Sequence, residues 1–97
     1  MEQKHAATIL HALGHEARLG LFRLLVQAGE DGLNIGQMRQ QINMPASTLA
    51  HHIATLVKAN VIIQHQQGRE TINIANFTLV ELMADYLFND CCKGIAS

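Results

Sequence analysis

Apolar and polar positions alternate with helical spacing along residues 45–60. The apolar positions fall on one side of the predicted helix, at Leu49, Ile53, Leu56 and Val57. The opposite side carries short polar side chains and no carboxylate, at Ser47, Thr48, His51 and Thr55. A helix that is buried along one side and presents only small donors and acceptors on the other suits the floor of a DNA major groove. We therefore interpret this segment as a recognition helix.

The segments on either side of this helix complete a recognisable motif. A third helix is predicted to start at Asn34, where Gln37 completes a capping box, and Pro45 suits the start of the recognition helix. Residues 61–75 alternate and then turn at residues 67–69, which predicts a β-hairpin with Arg69 near its tip. Two helices joined by a short turn and followed by a hairpin predict a winged helix-turn-helix, mainly α with a β wing.

Two further helices are predicted before this motif. Residues 2–13 form the first, and Gly14 separates it from a second over residues 15–28. The spacing of apolar residues in the second helix predicts a buried face formed by Leu19, Phe22, Leu25 and Val26.

The last helix is predicted to begin with Thr78 as its cap and to run to about Cys91. Glu81 is placed to reach back to the cap, and Phe77 to pack onto Leu82. This helix is apolar almost all round, which a small domain cannot cover by itself. We expect the first and last helices of a second copy to cover it, giving a homodimer through residues of about 2–13 and 78–91.

Composition and charge set the class of protein. The chain has 97 residues, of which 48% are hydrophobic, and we expect one domain over residues 1–97. The net charge is −1, but residues 32–76 carry +2, because Arg39, Lys58 and Arg69 outnumber Glu70. This weak positive footprint predicts few phosphate contacts for each subunit. It also leaves open a winged-helix module that binds protein and no DNA.

Several other classes are excluded by the sequence. No apolar run is long enough to span a membrane and the N-terminus has no signal-peptide pattern, so we expect a cytoplasmic protein without a membrane partner. No Ser-His-Asp arrangement, phosphate-binding loop or paired carboxylates are present, and we expect no enzyme activity.

Over most of its length the chain resembles the ArsR/SmtB family of bacterial metal- and thiol-responsive repressors. The resemblance lies in HALGHEARLGLFRLL (11–25), IGQMRQQINMPASTLAHHIATLVKANVI (35–62) and QQGRETINI (66–74). It implies a homodimer that places one recognition helix in each half-site of a palindromic operator and releases DNA when an inducer binds. By position, Ser47, Thr48 and His51 resemble groove contacts, and Arg69 resembles a wing contact.

The metal sites of that family are missing from their usual places. The thiolate site before the recognition helix would fall at Asn34 and Gly36, and no His follows His65 to complete a zinc site on the last helix.

What remains is the adjacent pair Cys91 and Cys92, which resembles the vicinal pair of some arsenic-responsive members. Adjacent cysteines seldom form a disulfide, so a reduced pair is expected. Thiolates suit trivalent arsenic or antimony, and Lys93 favours the thiolate form. Two sulfurs per subunit match an organoarsenical. Two alternatives remain for the pair: it is a redox or reactive-sulfur sensor, or it has no sensing role. No obligatory cofactor is expected.

The histidines divide by position. His51 lies on the polar face and is interpreted as a DNA contact, whereas His52 is expected to be partly packed, with a phosphate contact as the alternative. A metal site at His11 and His15 is disfavoured, because Gly14 interrupts the helix that would align them.

Overall fold

The computed structural model describes residues 1–96, which form five helices and one hairpin. In chain order the elements are α1 (Gln3–Leu13), α2 (Glu16–Ala28), α3 (Ile35–Gln41), α4 (Ala46–Lys58), β1 (Ile62–Gln67), β2 (Glu70–Ala75) and α5 (Phe77–Phe88). A short 3-10 turn, Gly29–Asp31, joins α2 to the segment before α3. The predicted winged helix-turn-helix, mainly α with a β wing, is confirmed.

Helix starts follow the capping chemistry of the sequence, with one exception. The capping box at α3 is present, since the side chains of Asn34 and Gln37 each accept from the other's backbone N–H. At α5 the prediction of Thr78 as cap is wrong: the Asn76 side chain accepts from the backbone N–H of Leu79 at 3.3 Å. Asn76 also donates to the carbonyl of Asn60 at 2.8 Å, which fixes it in place. Asn and Thr are both favoured cap residues, and the additional hydrogen bond to Asn60 favours Asn76 over Thr78 as the cap.

The last helix is also shorter than predicted. It ends at Phe88, and Cys91 lies beyond it in a turn. Asp90 and Cys92 have φ angles of 63° and 68°, in the left-handed region that no α-helix can contain. The two cysteines therefore follow the helix and are not part of it.

The core lies where α1, α2 and α4 meet the base of the hairpin. It is built from apolar side chains of these elements, including Ile9, Leu21, Phe22, Leu25, Leu49, Leu56 and Val61. The prediction that Leu19 is buried is wrong, because its side chain is 46% exposed and Leu21 faces the core instead. The half-buried Arg18 lies on the same side of α2 as Leu21 and Phe22, and its Nε donates to the carbonyl of Ala12 at 2.6 Å.

The hairpin is held against the start of α3. Its antiparallel register runs from Ile62 opposite Ala75 to Gln67 opposite Glu70, which leaves a two-residue turn. Gly68 opens that turn with φ of 65°, as a two-residue hairpin turn requires. At the other end the backbone of Leu33 pairs with Asn73. The wing is thus tied to the segment before α3 by two backbone hydrogen bonds at one strand position, Asn73.

No helix within residues 1–96 is long and apolar enough to cross a membrane.

Candidate nucleic-acid interface

The polar face of α4 is open to solvent. Ser47, Thr48 and His51 are exposed, opposite the buried Leu49 and the other core residues of the helix. Two hydroxyls and an imidazole therefore project from one side of a helix that is anchored along the other. Such groups pair with base edges or phosphates. Their contacts with DNA stay a prediction.

Thr55 lies one turn further along the same helix and is half-buried. Its hydroxyl donates to the carbonyl of His51 at 3.2 Å, a bond within the helix. The hydroxyl oxygen keeps its acceptor capacity, so Thr55 offers DNA an acceptor at the edge of the polar face.

His52 faces the interior and not the solvent. It is 8% exposed, and its ring packs on that of His15 with the centroids 4.8 Å apart. Burial lowers the pKa of His52, and the neighbouring His15, Arg18 and His51 lower it further. A buried imidazole is not presented to a phosphate in this conformation, so the alternative role of His52 as a DNA contact stays a prediction that its burial disfavours. The expectation that it is packed is correct.

Arg69 occupies the second position of the hairpin turn and is exposed. Its neighbour Glu70 is engaged elsewhere, because Oε1 accepts from the Asn34 amide at 2.9 Å. Within residues 1–96 one ion pair forms, between Lys93 and Asp90, so Arg69 has no ion-pair partner at the tip. Lys58, exposed in the last turn of α4, is a second such cation. From the sequence, Lys58 entered the net charge of residues 32–76 but was not predicted to contact DNA. Its position in the last turn of the recognition helix could have identified it as a candidate.

The cysteine pair lies apart from this face, in the turn after α5. The Sγ atoms of Cys91 and Cys92 lie against each other in this turn, and the expectation that the pair is reduced stays a prediction. Lys93, expected beside the thiols, instead donates to Asp90 at 2.9 Å, where both side chains are largely exposed.

Metal ligands do not gather elsewhere in the described chain. No group of three or more His, Cys, Asp or Glu side chains within residues 1–96 is arranged to hold a metal ion. A resident metal site built by one subunit therefore finds no support.

Large apolar side chains remain exposed on α1 and α5. Phe88 is 74% exposed, and Leu82 and Leu87 are each 53% exposed on the same helix. Leu10 on α1 is 41% exposed. The first and last helices therefore both expose apolar side chains to solvent.

Comparison with known proteins identifies the family of this chain and the solved structures that share its fold. A family model described as a helix-turn-helix domain matches residues 13–65, more than half of the chain. No match was found among curated proteins. The described fold is similar to that of an ArsR-like transcriptional regulator from Rhodococcus sp. RHA1, at 19% identity and a TM-score of 0.77, over 87% of this chain and 76% of that one.

Two further solved structures share the fold. HlyU from Vibrio cholerae matches at 23% identity and a TM-score of 0.71, over 95% of this chain and 99% of that one. The transcriptional repressor BigR from Xylella fastidiosa matches at 22% identity and a TM-score of 0.66, over 89% and 85% of the two chains. At such identities the likeness establishes a shared fold.

Proposed function

This chain belongs to the helix-turn-helix domain family and has the fold of ArsR-type winged-helix regulators, and from this premise we propose that it represses transcription by binding operator DNA as a homodimer. The observation that carries the proposal is the exposed polar face of α4, with Ser47, Thr48 and His51 standing clear of the core. Side chains of this kind pair with base edges, while the wing cation Arg69 suits a phosphate or the minor groove. Thr55 extends the same face.

The dimer in this proposal forms through α1 and α5. The exposed apolar side chains on these helices, Phe88 above all, are the support for it. Pairing would bury them and place two copies of α4 on one side of the assembly. Dimeric helix-turn-helix proteins read half-sites about 34–36 Å apart, one turn of DNA. A small change in how the α5 helices pair would alter that spacing and weaken binding.

The inducer in this proposal is a trivalent arsenical or antimonial held by Cys91 and Cys92. Soft thiophilic centres prefer thiolates, and two adjacent sulfurs suit an arsenic atom that already carries one carbon substituent. Each thiol would lose its proton as its sulfur bonds to arsenic, and the proton would leave as water with the hydroxide displaced from the arsenic atom. Because the pair directly follows α5, a bridged arsenic atom would reshape the end of the dimer helix.

A second proposal uses the same cysteines as a redox or reactive-sulfur sensor. The close approach of the Sγ atoms of Cys91 and Cys92 favours it, since oxidation of two neighbouring thiols yields a disulfide. A peroxide would take two electrons from the dithiol and leave as water, and the disulfide would remain. In this case the oxidised protein would release DNA without any metalloid.

One experiment tests these proposals together. A duplex is first selected from a random library with the reduced protein, and its release is then followed by fluorescence anisotropy. The titrants are phenylarsenite, arsenite, antimonite and peroxide, added to the wild type and to a Cys91→Ser/Cys92→Ser variant.

The outcomes separate the alternatives. Release of the wild type alone by arsenicals supports the arsenical inducer, and release by peroxide alone supports the redox sensor. Equal release of both proteins would remove the cysteines from the mechanism. Failure to select any duplex, with stable binding to a protein, would favour the interaction module.

A further inference from the structure

Three elements enclose a groove of about 890 Å³ beside the polar face of α4. One wall is the start of α3, the second is the side of α4 next to the polar face, and the third is the hairpin. Pockets that hold small molecules measure roughly 300–1,000 Å³. The groove is therefore large enough for a ligand of moderate size.

Apolar side chains form much of its lining. They come from α3 and α4, and they are Ile35, Ala50, Ile53, Ala54 and Val57. Ile35 is 43% exposed and Ala50 and Ala54 are exposed, so apolar surface faces solvent here. Covering it with an apolar group would release water and favour binding.

The two cations without an ion-pair partner, Lys58 and Arg69, stand on opposite walls of this groove. Lys58 belongs to the α4 wall and Arg69 to the hairpin wall. The carboxylate of Glu70 also lines the groove, but it accepts a hydrogen bond from the Asn34 amide at 2.9 Å. The groove thus combines an apolar lining with two cations that lack an ion-pair partner within residues 1–96.

We propose that this groove binds a small organic anion with an apolar body and one carboxylate. The apolar body would cover Ala54 and Ile35, and the carboxylate would lie between Lys58 and Arg69. A DNA phosphate would use the two cations but would leave the apolar lining bare, so the groove favours an amphipathic anion. The further consequence, competition with DNA for Arg69, rests on the proposed function, whereas binding of the anion does not.

The test is an NMR titration of the whole protein with octanoate, with the uncharged octanamide and with inorganic phosphate. Octanoate is expected to give saturable shifts at the amides of Ile35, Ala54 and Arg69. Octanamide and the Lys58→Gln and Arg69→Gln variants are each expected to bind about tenfold more weakly, the usual cost of losing a charged hydrogen bond. Lys93→Gln, a cation outside the groove, should bind octanoate as the wild type does.

A second variant keeps the test independent of charge. Ala54→Phe fills the groove from an exposed helix position and is expected to abolish octanoate binding while the spectrum stays folded. Equal affinity for octanamide, shifts confined to α1 and α5, or no saturable binding would each overturn the proposal. Shifts of the groove residues with duplex DNA and phosphate but not with octanoate would show instead that the groove seats the DNA backbone.

The DNA arm separates this inference from the proposed function. Octanoate binding by a protein that binds no duplex would leave the groove assignment standing and sink the repressor. Duplex binding without octanoate binding would overturn the groove assignment and leave the repressor standing.

Discussion

The imidazole of His52 packs against that of His15 with ring centroids 4.8 Å apart and planes tilted by 48°. This contact joins the recognition helix to the start of α2, where Nδ1 of His15 accepts from the backbone N–H of Ala17 at 3.2 Å. Nδ1 of His52 is buried and has no hydrogen-bond partner. The contact therefore joins two helices through two imidazoles. Nδ1 accepts a hydrogen bond in His15 and has no partner in His52.

The first prediction is that His52 makes the fold sensitive to acid. Its pKa is lowered from 6.5 by burial and then by His15, Arg18 and His51. The unfolded chain therefore takes up a proton that the folded chain excludes, so the stability from neutral His52 is present above the ordinary pKa and is lost as the pH falls below it. Urea unfolding of His52→Met at about pH 7.5 and 5.5 should show a smaller loss than the wild type. His51→Gln, on the exposed neighbour, serves as the control, and an equal loss in His52→Met would contradict the assignment.

His52 also marks where sequence analysis of the site succeeded and where it failed. Helical spacing placed Ser47, Thr48 and His51 together on the exposed face, because one face of an amphipathic helix is fixed by its period. The same spacing left His52 at the edge of the apolar stripe, and only the position of His15 on another helix decides that it is buried. A contact between helices cannot be read from the period of either one.

The second prediction concerns the close approach of Gly32 to the wing. Its φ is 65°, and a Cβ there would lie 2.7 Å from Cγ1 of Ile74 and 2.8 Å from Cγ2 of Ile72. Gly32→Ala adds this overlap to the backbone strain and is expected to cost about 2–4 kcal/mol in the free energy of unfolding. Gly29→Ala is the matched control, since its φ is 72° but nothing lies within 4 Å of the added Cβ. Denaturant unfolding of both measures the difference, and equal losses would mean that packing contributes nothing.

The third prediction concerns the bond from Arg18 to the end of α1. Its Nε donates to the carbonyl of Ala12 at 2.6 Å, and its guanidinium also donates to His11 at 3.3 Å. The His11 carbonyl also accepts from the backbone N–H of Gly14, whereas the Ala12 carbonyl lies at the open end of the helix, so Arg18→Ala should destabilise the fold by about 2 kcal/mol. Arg23→Ala, an exposed site on the same helix, should change little. Thermal unfolding of both variants checks this, and a similar small change in both would contradict it.

The fold was largely predictable because its signals are local. The capping box at Asn34 and the turn at Gly68 and Arg69 appear in the sequence as they do in the structure. The end of α5 was predicted wrongly: the helix stops at Phe88, and the polar residues Asn89 and Asp90 separate it from Cys91 and Cys92. Nothing in the spacing of those residues distinguishes a helix from the left-handed positions that follow it.

The fourth prediction is that Phe88 drives self-association. Its side chain, near the end of α5, is 74% exposed. A large apolar side chain exposed in this way adds no stability to a monomer. Phe88→Ser should shift a wild-type dimer towards monomer in sedimentation equilibrium by at least tenfold in the dissociation constant, roughly the value of one buried aromatic. Ile63→Ser removes an exposed apolar side chain from the wing and should leave the dimer intact. A monomeric wild type would contradict the proposed assembly.

The last prediction separates phosphate contacts from the rest of the surface. Arg69 is exposed at the hairpin tip with no ion-pair partner within the described residues, so its binding to DNA would release one counterion for each subunit. Arg69→Gln in a dimer should lower the slope of log affinity against log salt by about 2 and weaken binding to all duplexes alike. Lys93→Gln removes the same charge beside Asp90 and far from α4 in the chain, and it should leave the slope unchanged. Fluorescence anisotropy over a range of salt concentrations measures both, and a slope unaltered by Arg69→Gln would remove the wing from the contact with DNA.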